Sequence, residues 1–149
     1  MKQGVKIVIA EDDEGHATLI KKNLKRAGLR NEFIHLKDGQ ETLGYLFQHH
    51  KKKNRENRVP VLLVLDLKMP KVNGVEVLRQ VKEDPELRKI PVTIITTTDN
   101  PGEVEKCHEL GCSNYITKPI DYNKFVKAIR ILGLFLLVVE VPTIDGKDD

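Results

Sequence analysis

Five polar side chains stand at or directly after the ends of apolar segments that have the composition of β-strands. They are two acids after the first segment, one acid after the third, a threonine ending the fourth and a lysine after the fifth: Glu11, Asp12, Asp66, Thr96 and Lys118. In an open parallel sheet, reactive groups collect where strands end at their carboxyl edge. Acidic groups crowded there repel one another and are stable as anions only with a cation among them. Mg2+ meets this need because it prefers oxygen ligands and keeps several waters, which leaves room for phosphate oxygens.

The same residue types suit transfer of a phosphoryl group to Asp66. A carboxylate can attack phosphorus, and the transfer then depends mostly on holding the phosphoryl group in line and neutralising its oxygens. Mg2+, the Lys118 ammonium and the Thr96 hydroxyl can supply that neutralisation. Each residue alone has an ordinary interpretation, as a helix cap, a turn, a β-branched strand residue or surface charge. Their joint occurrence at successive strand ends favours the functional interpretation.

The elements that must position these residues alternate regularly along the chain. Short apolar segments at residues 5–10, 31–36, 61–65, 92–96 and 114–117 are separated by segments with helical spacing. This is the pattern of a parallel sheet wrapped by helices. The third segment is apolar throughout, as expected of a central strand buried on both faces, and the weakly alternating second one is predicted to lie at an edge. The fold class is therefore α/β, a doubly wound five-stranded parallel sheet with helices on both faces.

Helix signals fill the intervals between the strands. Gly28 ends the first helix, and Asp121 is placed to cap the last one. The last helix has a core stripe at helical spacing, made by Phe125, Ile129, Leu132 and Leu136. Residues 51–58, KKKNRENR, contain no apolar side chain and are predicted to form a solvated loop.

Four segments of the chain together resemble the receiver domain of two-component response regulators, over nearly its whole length. The segments are IVIAEDD, VLLVLDLKMPKVNG, IPVTIITTT and YITKP. The resemblance implies a flavodoxin-like receiver fold with sheet order 2-1-3-4-5. It also implies that Asp66 is phosphorylated, with a phosphohistidine on a sensor histidine kinase as the donor. Asp13 falls at a variable position of the family and is interpreted as a helix cap.

The resemblance also implies a set of ligands for Mg2+. Asp12 and Asp66 would bind the ion directly, and Glu11 would act through a water molecule. The backbone carbonyl of Lys68 would complete the protein's contribution, so the side chain of Lys68 is irrelevant to ligation.

Three further roles are implied by the resemblance. Lys118 would pair with the acidic pocket or with the phosphate. Thr96 would bond a phosphoryl oxygen. Tyr115 would be the aromatic switch residue whose rotamer follows Thr96.

Enzymes that bind nucleotides or turn over phosphate esters fit the sequence less well. The first turn lacks Gly-x-Gly-x-x-Gly, and no Gly-x-x-x-x-Gly-Lys-Ser/Thr occurs in the chain. A phosphatase resembling the haloacid-dehalogenase group would need a second aspartate two residues after the nucleophile, where this chain has Lys68. We therefore expect a stored phosphoryl group and no enzymatic activity on an external substrate.

Length and composition set the remaining expectations. The chain of 149 residues is predicted to form one receiver domain, residues 1–149, with a core at about 4–133 and a C-terminal helix extension and tail at 134–149. A net charge of +3 selects no partner. Cys107 and Cys112 lack zinc-ligand spacing and are interpreted as reduced structural residues. The N-terminus does not have a signal-peptide pattern, and the apolar run 131–139 is too short to span a bilayer, which predicts a cytoplasmic protein without a membrane segment.

Without a second domain, the phosphorylated surface itself is the expected output. The apolar run 131–139 is either a buried helix extension or, preferably, a self-complementary homodimer contact. The segment 51–58 lacks aromatic residues and no helix-turn-helix comes after it, so nucleic acid is not an expected partner.

The expansion near the second helix and the C-terminal extension resemble small receivers that pair with phytochrome-type histidine kinases in cyanobacteria and other bacteria. A relay role, passing the phosphoryl group to a histidine phosphotransfer protein, stays open as the alternative.

Overall fold

Five parallel strands form one sheet at the centre of the protein. The computed structural model describes residues 1–50 and 59–143, with the side chains of residues 49 and 50 excepted. The strands are β1 (Lys6–Ala10), β2 (Phe33–Leu36), β3 (Val61–Leu65), β4 (Val92–Thr96) and β5 (Asn114–Thr117). Their order in the sheet is β2-β1-β3-β4-β5, and every neighbouring pair is parallel. The predicted fold class and strand order are confirmed.

An α-helix follows each strand. They are α1 (Glu14–Arg26), α2 (Gly39–Gly44), α3 (Gly74–Glu83), α4 (Pro101–Leu110) and α5 (Tyr122–Leu136). Helix α2 continues directly into a π-helical segment, Tyr45–His50, and a short 3-10 turn, Leu87–Lys89, precedes β4. The two predicted caps are confirmed, because Asp13 accepts a hydrogen bond from the His16 amide and Asp121 accepts one from the Lys124 amide. The predicted solvated loop at 51–58 lies outside the described residues.

Each face of the sheet carries its own hydrophobic core, which is why β3 is apolar at every position. Val61, Leu63 and Leu65 face the core beneath α2, α3 and α4, whereas Leu62 and Val64 face the core shared with α1 and α5. All five β3 side chains are buried. Because successive strand residues point to opposite faces, an uninterrupted apolar run is required to fill both cores.

The first two strands begin later than the sequence predicts. Strand β1 starts at Lys6, directly after a backbone turn between Lys2 and Val5, and β2 starts at Phe33. The Asn31 side chain donates to the carbonyls of Lys2 and Val5, each at 2.8 Å. A side-chain amide thus joins these segments where the predicted strands would have paired through their backbones.

Helix α5 packs closely against α1 and leaves part of its surface apolar and exposed. A side-chain carbon added at Gly133 would lie 2.5 Å from the Ala27 side chain, so only glycine allows this approach. The predicted stripe from Phe125 to Leu136 is buried, as expected. Beyond the helix, Val139 and Val141 pack against the same core. The division into a core at 4–133 and an extension at 134–149 stays a prediction.

Four other apolar side chains near the C-terminus are not covered by the protein. Each of these residues is more than half exposed: Ile131, Leu134, Phe135 and Val138. We call these four residues the C-terminal apolar patch. Within the described part of the chain, no helix is long and apolar enough to cross a bilayer.

Candidate functional site

The register of β1 and β3 brings three carboxylates to the carboxyl edge of the sheet. Ala10 pairs with Leu65, so the next residues, Glu11 and Asp66, lie side by side. The Asp66 amide donates to the Ala10 carbonyl at 3.0 Å, which fixes this alignment. Carboxylate oxygens of Glu11, Asp12 and Asp66 all lie within 4.8 Å of one another. The acidic cluster predicted from the strand ends is therefore present.

Lys118, directly after β5, completes the site at the same edge of the sheet. Its backbone amide donates to the Thr96 carbonyl, which anchors the residue at the ends of β4 and β5. Its Nζ lies 3.0 Å from Asp66 Oδ2 and also donates to Glu11 Oε1. Lys118, Glu11 and Asp66 are all buried. A buried ammonium is tolerated in proteins when opposite charges and hydrogen bonds satisfy it, as they do here.

The two buried acids have opposite pKa shifts. Burial raises the pKa of Glu11 to about 8, and the neighbouring Asp66 adds to the rise while Lys118 opposes it. Burial alone would also raise the pKa of Asp66, but its interactions with Glu11 and Lys118 outweigh burial and hold that pKa below its ordinary value. The pair therefore does not carry two full negative charges by itself. A divalent cation would favour the ionised form of both acids.

The loop after β3 wraps its backbone around Asp66. The Lys68 amide donates to Asp66 Oδ1 at 3.1 Å, and the Lys68 side chain is exposed. Gly74 packs against the same backbone, since a side-chain carbon at this position would lie 2.2 Å from the Asp66 carbonyl oxygen. This close approach requires glycine and holds the loop, including the Lys68 peptide, beside the acidic cluster.

Thr96 presents a buried hydroxyl to the same site. The residue is fully buried, and its Oγ1 has no hydrogen-bond partner of normal geometry among the described residues. It is nevertheless close enough to help hold down the pKa of Asp66. Buried hydroxyls are rarely left unpaired, so this one is a candidate donor to an anion at the site.

Tyr115 lies on β5, which β4 separates from β3 and the acidic cluster. It pairs in register with Ile94, and its hydroxyl donates to the Thr98 carbonyl at 2.8 Å. Burial raises the pKa of Tyr115 to about 12, so the hydroxyl stays protonated and able to donate. The side chain is thereby tied to the loop between β4 and α4, two residues beyond Thr96.

His16 is a neighbour of the site that sequence reasoning missed. Its Nδ1 lies 3.0 Å from Lys118 Nζ. No histidine in the sequence has metal-ligand spacing, so the sequence predicts no functional role for His16. Its place in the first turn of α1, three residues after the capping Asp13, is the signal that could have found it, because that turn faces the carboxyl edge of β1.

The donor set fits a hard divalent cation. Three carboxylates converge, two of them buried, while Asp12 is exposed and open to water. Cations such as Mg2+ prefer oxygen ligands and retain several waters, which requires an opening of this kind. The unpaired Thr96 hydroxyl and the buried Lys118 ammonium add donors for an anion beside the cation.

Fold and site together define a class, a doubly wound α/β protein with an acidic cation site and a buried lysine at the carboxyl edge of its sheet. Residues 7–130 match the family model of the response regulator receiver domain. The chain therefore belongs to the response regulator receiver domain family and is a receiver domain of a two-component response regulator.

Several known proteins are similar over most of the chain. A response regulator receiver domain from Rhodospirillum rubrum has 46% identity and a TM-score of 0.87, covering 94% of this chain and 99% of its own. The response regulator Rcp1 of Synechocystis is 33% identical over 88% of each chain. The Mn(2+)-bound form of Rcp1 has a TM-score of 0.81 over 92% of this chain and 98% of its own. The phosphorylated cyanobacterial phytochrome response regulator RcpA is 31% identical, with a TM-score of 0.80 over 92% and 97%.

Proposed function

We propose that Asp66 accepts a phosphoryl group from a histidine kinase in a Mg2+-dependent reaction, and that the protein signals through the surface this changes. The observation that carries the proposal is the contact of Lys118 with Asp66 beside two further carboxylates. In the reaction, an Asp66 carboxylate oxygen forms a bond to phosphorus as the phosphorus–nitrogen bond of the donor phosphohistidine breaks. The departing imidazole takes its proton from solvent, and Asp66 becomes an acyl phosphate.

Residues of this chain would hold Mg2+ and the transferred group. Asp12, Asp66 and the Lys68 carbonyl would bind the ion directly, and Glu11 would act through a water molecule. When bound, Mg2+ neutralises charge on the phosphoryl oxygens and on the crowded acids. The description of Rcp1 in an Mn(2+)-bound form supports a divalent ion at this site.

Lys118 and Thr96 act on the phosphoryl oxygens once the group is in place. The Lys118 ammonium supplies a buried positive charge, and the Thr96 hydroxyl gains the acceptor that it otherwise lacks. Tyr115, joined to the loop after Thr96, is the switch residue that carries the change to the surface. The protein thus assists its own phosphorylation and dephosphorylation and is not an enzyme for an external substrate.

The donor kinase we propose is of the phytochrome type. RcpA is described as a cyanobacterial phytochrome response regulator, and both RcpA and Rcp1 resemble this chain over nearly its full length. We place the protein in the cytoplasm, where its two buried free cysteines would stay reduced. Phosphotransfer from a purified phytochrome kinase, compared with kinases of other sensor types at equal concentration, tests this pairing. Equal rates from all of them would contradict it.

A homodimer through the C-terminal apolar patch is the second part of the proposal. The patch borders an apolar cavity of about 340 Å³ that is lined by residues of α5 and β5, including Ile116 and Ala128. One helix therefore offers both projecting side chains and a depression beside them, which suits a two-fold contact between copies of the chain. Light scattering over a concentration series should show a dimer that Phe135→Ser weakens. The control is Ile120→Ser, an exposed apolar residue outside the patch. A monomer at every concentration would contradict the proposal.

Intact mass after incubation with acetyl phosphate tests the central proposal. We expect a phosphoryl adduct that requires Mg2+ and is absent from Asp66→Asn. Asp121→Asn is a matched control, because it makes the same chemical change at an exposed helix cap that asparagine also fills. An adduct on Asp66→Asn, or none on the wild type with any donor, would refute the assignment of Asp66.

The relay alternative shares the same chemistry and differs in the fate of the phosphoryl group. Mixing the phosphorylated protein with a histidine phosphotransfer protein distinguishes the two roles. Rapid loss of the adduct to that protein supports a relay, whereas a long-lived adduct with phosphorylation-dependent binding of a partner supports the switch.

A further inference from the structure

The ammonium of Lys118 has a third neighbour besides the two carboxylates. His16 Nδ1 lies 3.0 Å from Lys118 Nζ, which also contacts Glu11 Oε1 and Asp66 Oδ2. An ammonium has three N–H donors and no acceptor. Each donor therefore has one acceptor, and the His16 ring nitrogen must be the accepting partner. The ring proton then lies on Nε2.

The His16 ring is held in place without any competing hydrogen bond. It packs edge-to-face with the ring of Phe125 on α5, with ring centroids 5.5 Å apart and planes at 87°. Nδ1 is 3.8 Å from Glu11 Oε1, and Nε2 is 3.9 Å from Asp13 Oδ2, both beyond hydrogen-bond distance. Within residues 1–50 and 59–143, Lys118 is therefore the only hydrogen-bond partner of the ring.

We propose that His16 is a positioning residue that holds the Lys118 ammonium in place during phosphoryl transfer. This inference rests on the proposed function of Asp66. As Asp66 forms the acyl phosphate, negative charge moves from its carboxylate to the phosphoryl oxygens, and the hydrogen bond from Lys118 must move with it. Glu11 and Asp66 both draw the ammonium toward the acids. The His16 acceptor fixes one N–H group from another side, so the ammonium keeps its place while its hydrogen bond passes from the Asp66 carboxylate to a phosphoryl oxygen.

Two variants of similar size separate the acceptor from the packing. His16→Asn retains a side-chain oxygen near the position of Nδ1, whereas His16→Leu fills the space and cannot accept. The experiment measures the initial rate of phosphorylation by acetyl phosphate at saturating Mg2+, and Mg2+ affinity by calorimetry. We expect His16→Leu to be about tenfold slower, the effect of one hydrogen bond to a charged group. His16→Asn should recover most of the rate, and Mg2+ affinity should be unchanged in both variants.

Several outcomes would overturn the inference. A His16→Leu variant as fast as the wild type would do so, and so would equal losses in both variants, since the acceptor would then be irrelevant. A parallel loss of Mg2+ affinity would show damage to the whole site. A wild type that takes no phosphoryl group would instead refute the proposed function, and the positioning role with it.

The tautomer of His16 is a check that does not depend on phosphorylation. Long-range proton–nitrogen correlation spectra distinguish a ring proton on Nε2 from one on Nδ1. A proton on Nε2 agrees with the inferred hydrogen bond. A proton on Nδ1 would exclude it, even if Asp66 is phosphorylated as proposed.

Discussion

Replacing Thr96 with valine removes one hydroxyl and keeps the shape of the side chain. The residue is fully buried, and its Oγ1 has no hydrogen-bond partner of normal geometry among the described residues. An unpaired buried hydroxyl costs about 1–3 kcal/mol. We therefore expect Thr96→Val to raise the free energy of unfolding of the unphosphorylated protein by about 1 kcal/mol, the low end of that range because the hydroxyl also helps to hold down the pKa of Asp66.

Thr93 provides a matched control on the same strand. It is also buried, but its Oγ1 donates to Asn114 Oδ1 at 2.6 Å. Thr93→Val deletes this bond and leaves the Asn114 oxygen unpaired, so it should lower the free energy of unfolding by about 1 kcal/mol. Urea unfolding followed by circular dichroism without Mg2+ measures both variants. Their denaturant slopes should equal that of the wild type, because the same surface is exposed on unfolding.

The same Thr96 variant should weaken the phosphorylated state. Beryllofluoride, which mimics a phosphoryl group on Asp66, should bind Thr96→Val about tenfold more weakly, since one hydrogen bond to a charged acceptor is lost. Thr93→Val should bind it like the wild type. If Thr96→Val were as destabilised as Thr93→Val, the hydroxyl would have a partner in the resting protein, and the reasoning would be refuted.

Three further predictions concern the acids, the lysine and the loop around Asp66. Lys118→Met leaves the buried Glu11 and Asp66 without their ammonium partner, so the free energy of unfolding should fall by about 3 kcal/mol. Mg2+ should restore part of this loss, which urea unfolding with and without the ion measures. Asp12→Asn should reduce Mg2+ affinity at least about tenfold by calorimetry while leaving thermal stability without metal nearly unchanged, because the side chain is exposed. Gly74→Ala should cost about 1–3 kcal/mol in thermal unfolding because its new carbon meets the Asp66 carbonyl. Gly44→Ala has open space around it and should be neutral or slightly stabilising.

The sequence predicts the central and later strands better than the first two. Strands β3, β4 and β5 begin and end where the sequence predicts. For β3 and β4 the reason is that strands covered on both sides show their limits as limits of hydrophobicity. Strands β1 and β2 begin later, because Asn31 bonds to backbone carbonyls 26 to 29 residues away. The change from α- to π-helix at Tyr45 also has no signal in the apolar spacing. Long-range side-chain bonds and local changes of helical pitch are not encoded in a hydrophobic period.

The candidate site was predictable to the extent that it depends on topology. Parallel strands end at one edge, so Glu11, Asp66 and Lys118 had to come near one another once their strands were assigned. His16 is not at a strand end, so this argument does not reach it, and only its place in the first turn of α1 indicates that it could face the site. The unpaired hydroxyl of Thr96 was equally hidden, since only the packed structure shows which hydroxyls find partners.

Lys118 and Thr96 would respond to a phosphoryl group at different energetic cost. Among the described residues, Thr96 has no hydrogen bond of normal geometry to give up, only its weaker interaction with Asp66, so a phosphoryl oxygen gains its hydroxyl at little cost. Lys118 must exchange its bond to Asp66 while keeping those to Glu11 and His16. The threonine is therefore the residue whose state differs most between the two forms of the protein. The Thr98 carbonyl, which accepts a hydrogen bond from Tyr115, lies two residues further along the same backbone. A shift of Thr96 toward the phosphoryl group would therefore change the Tyr115–Thr98 hydrogen bond first.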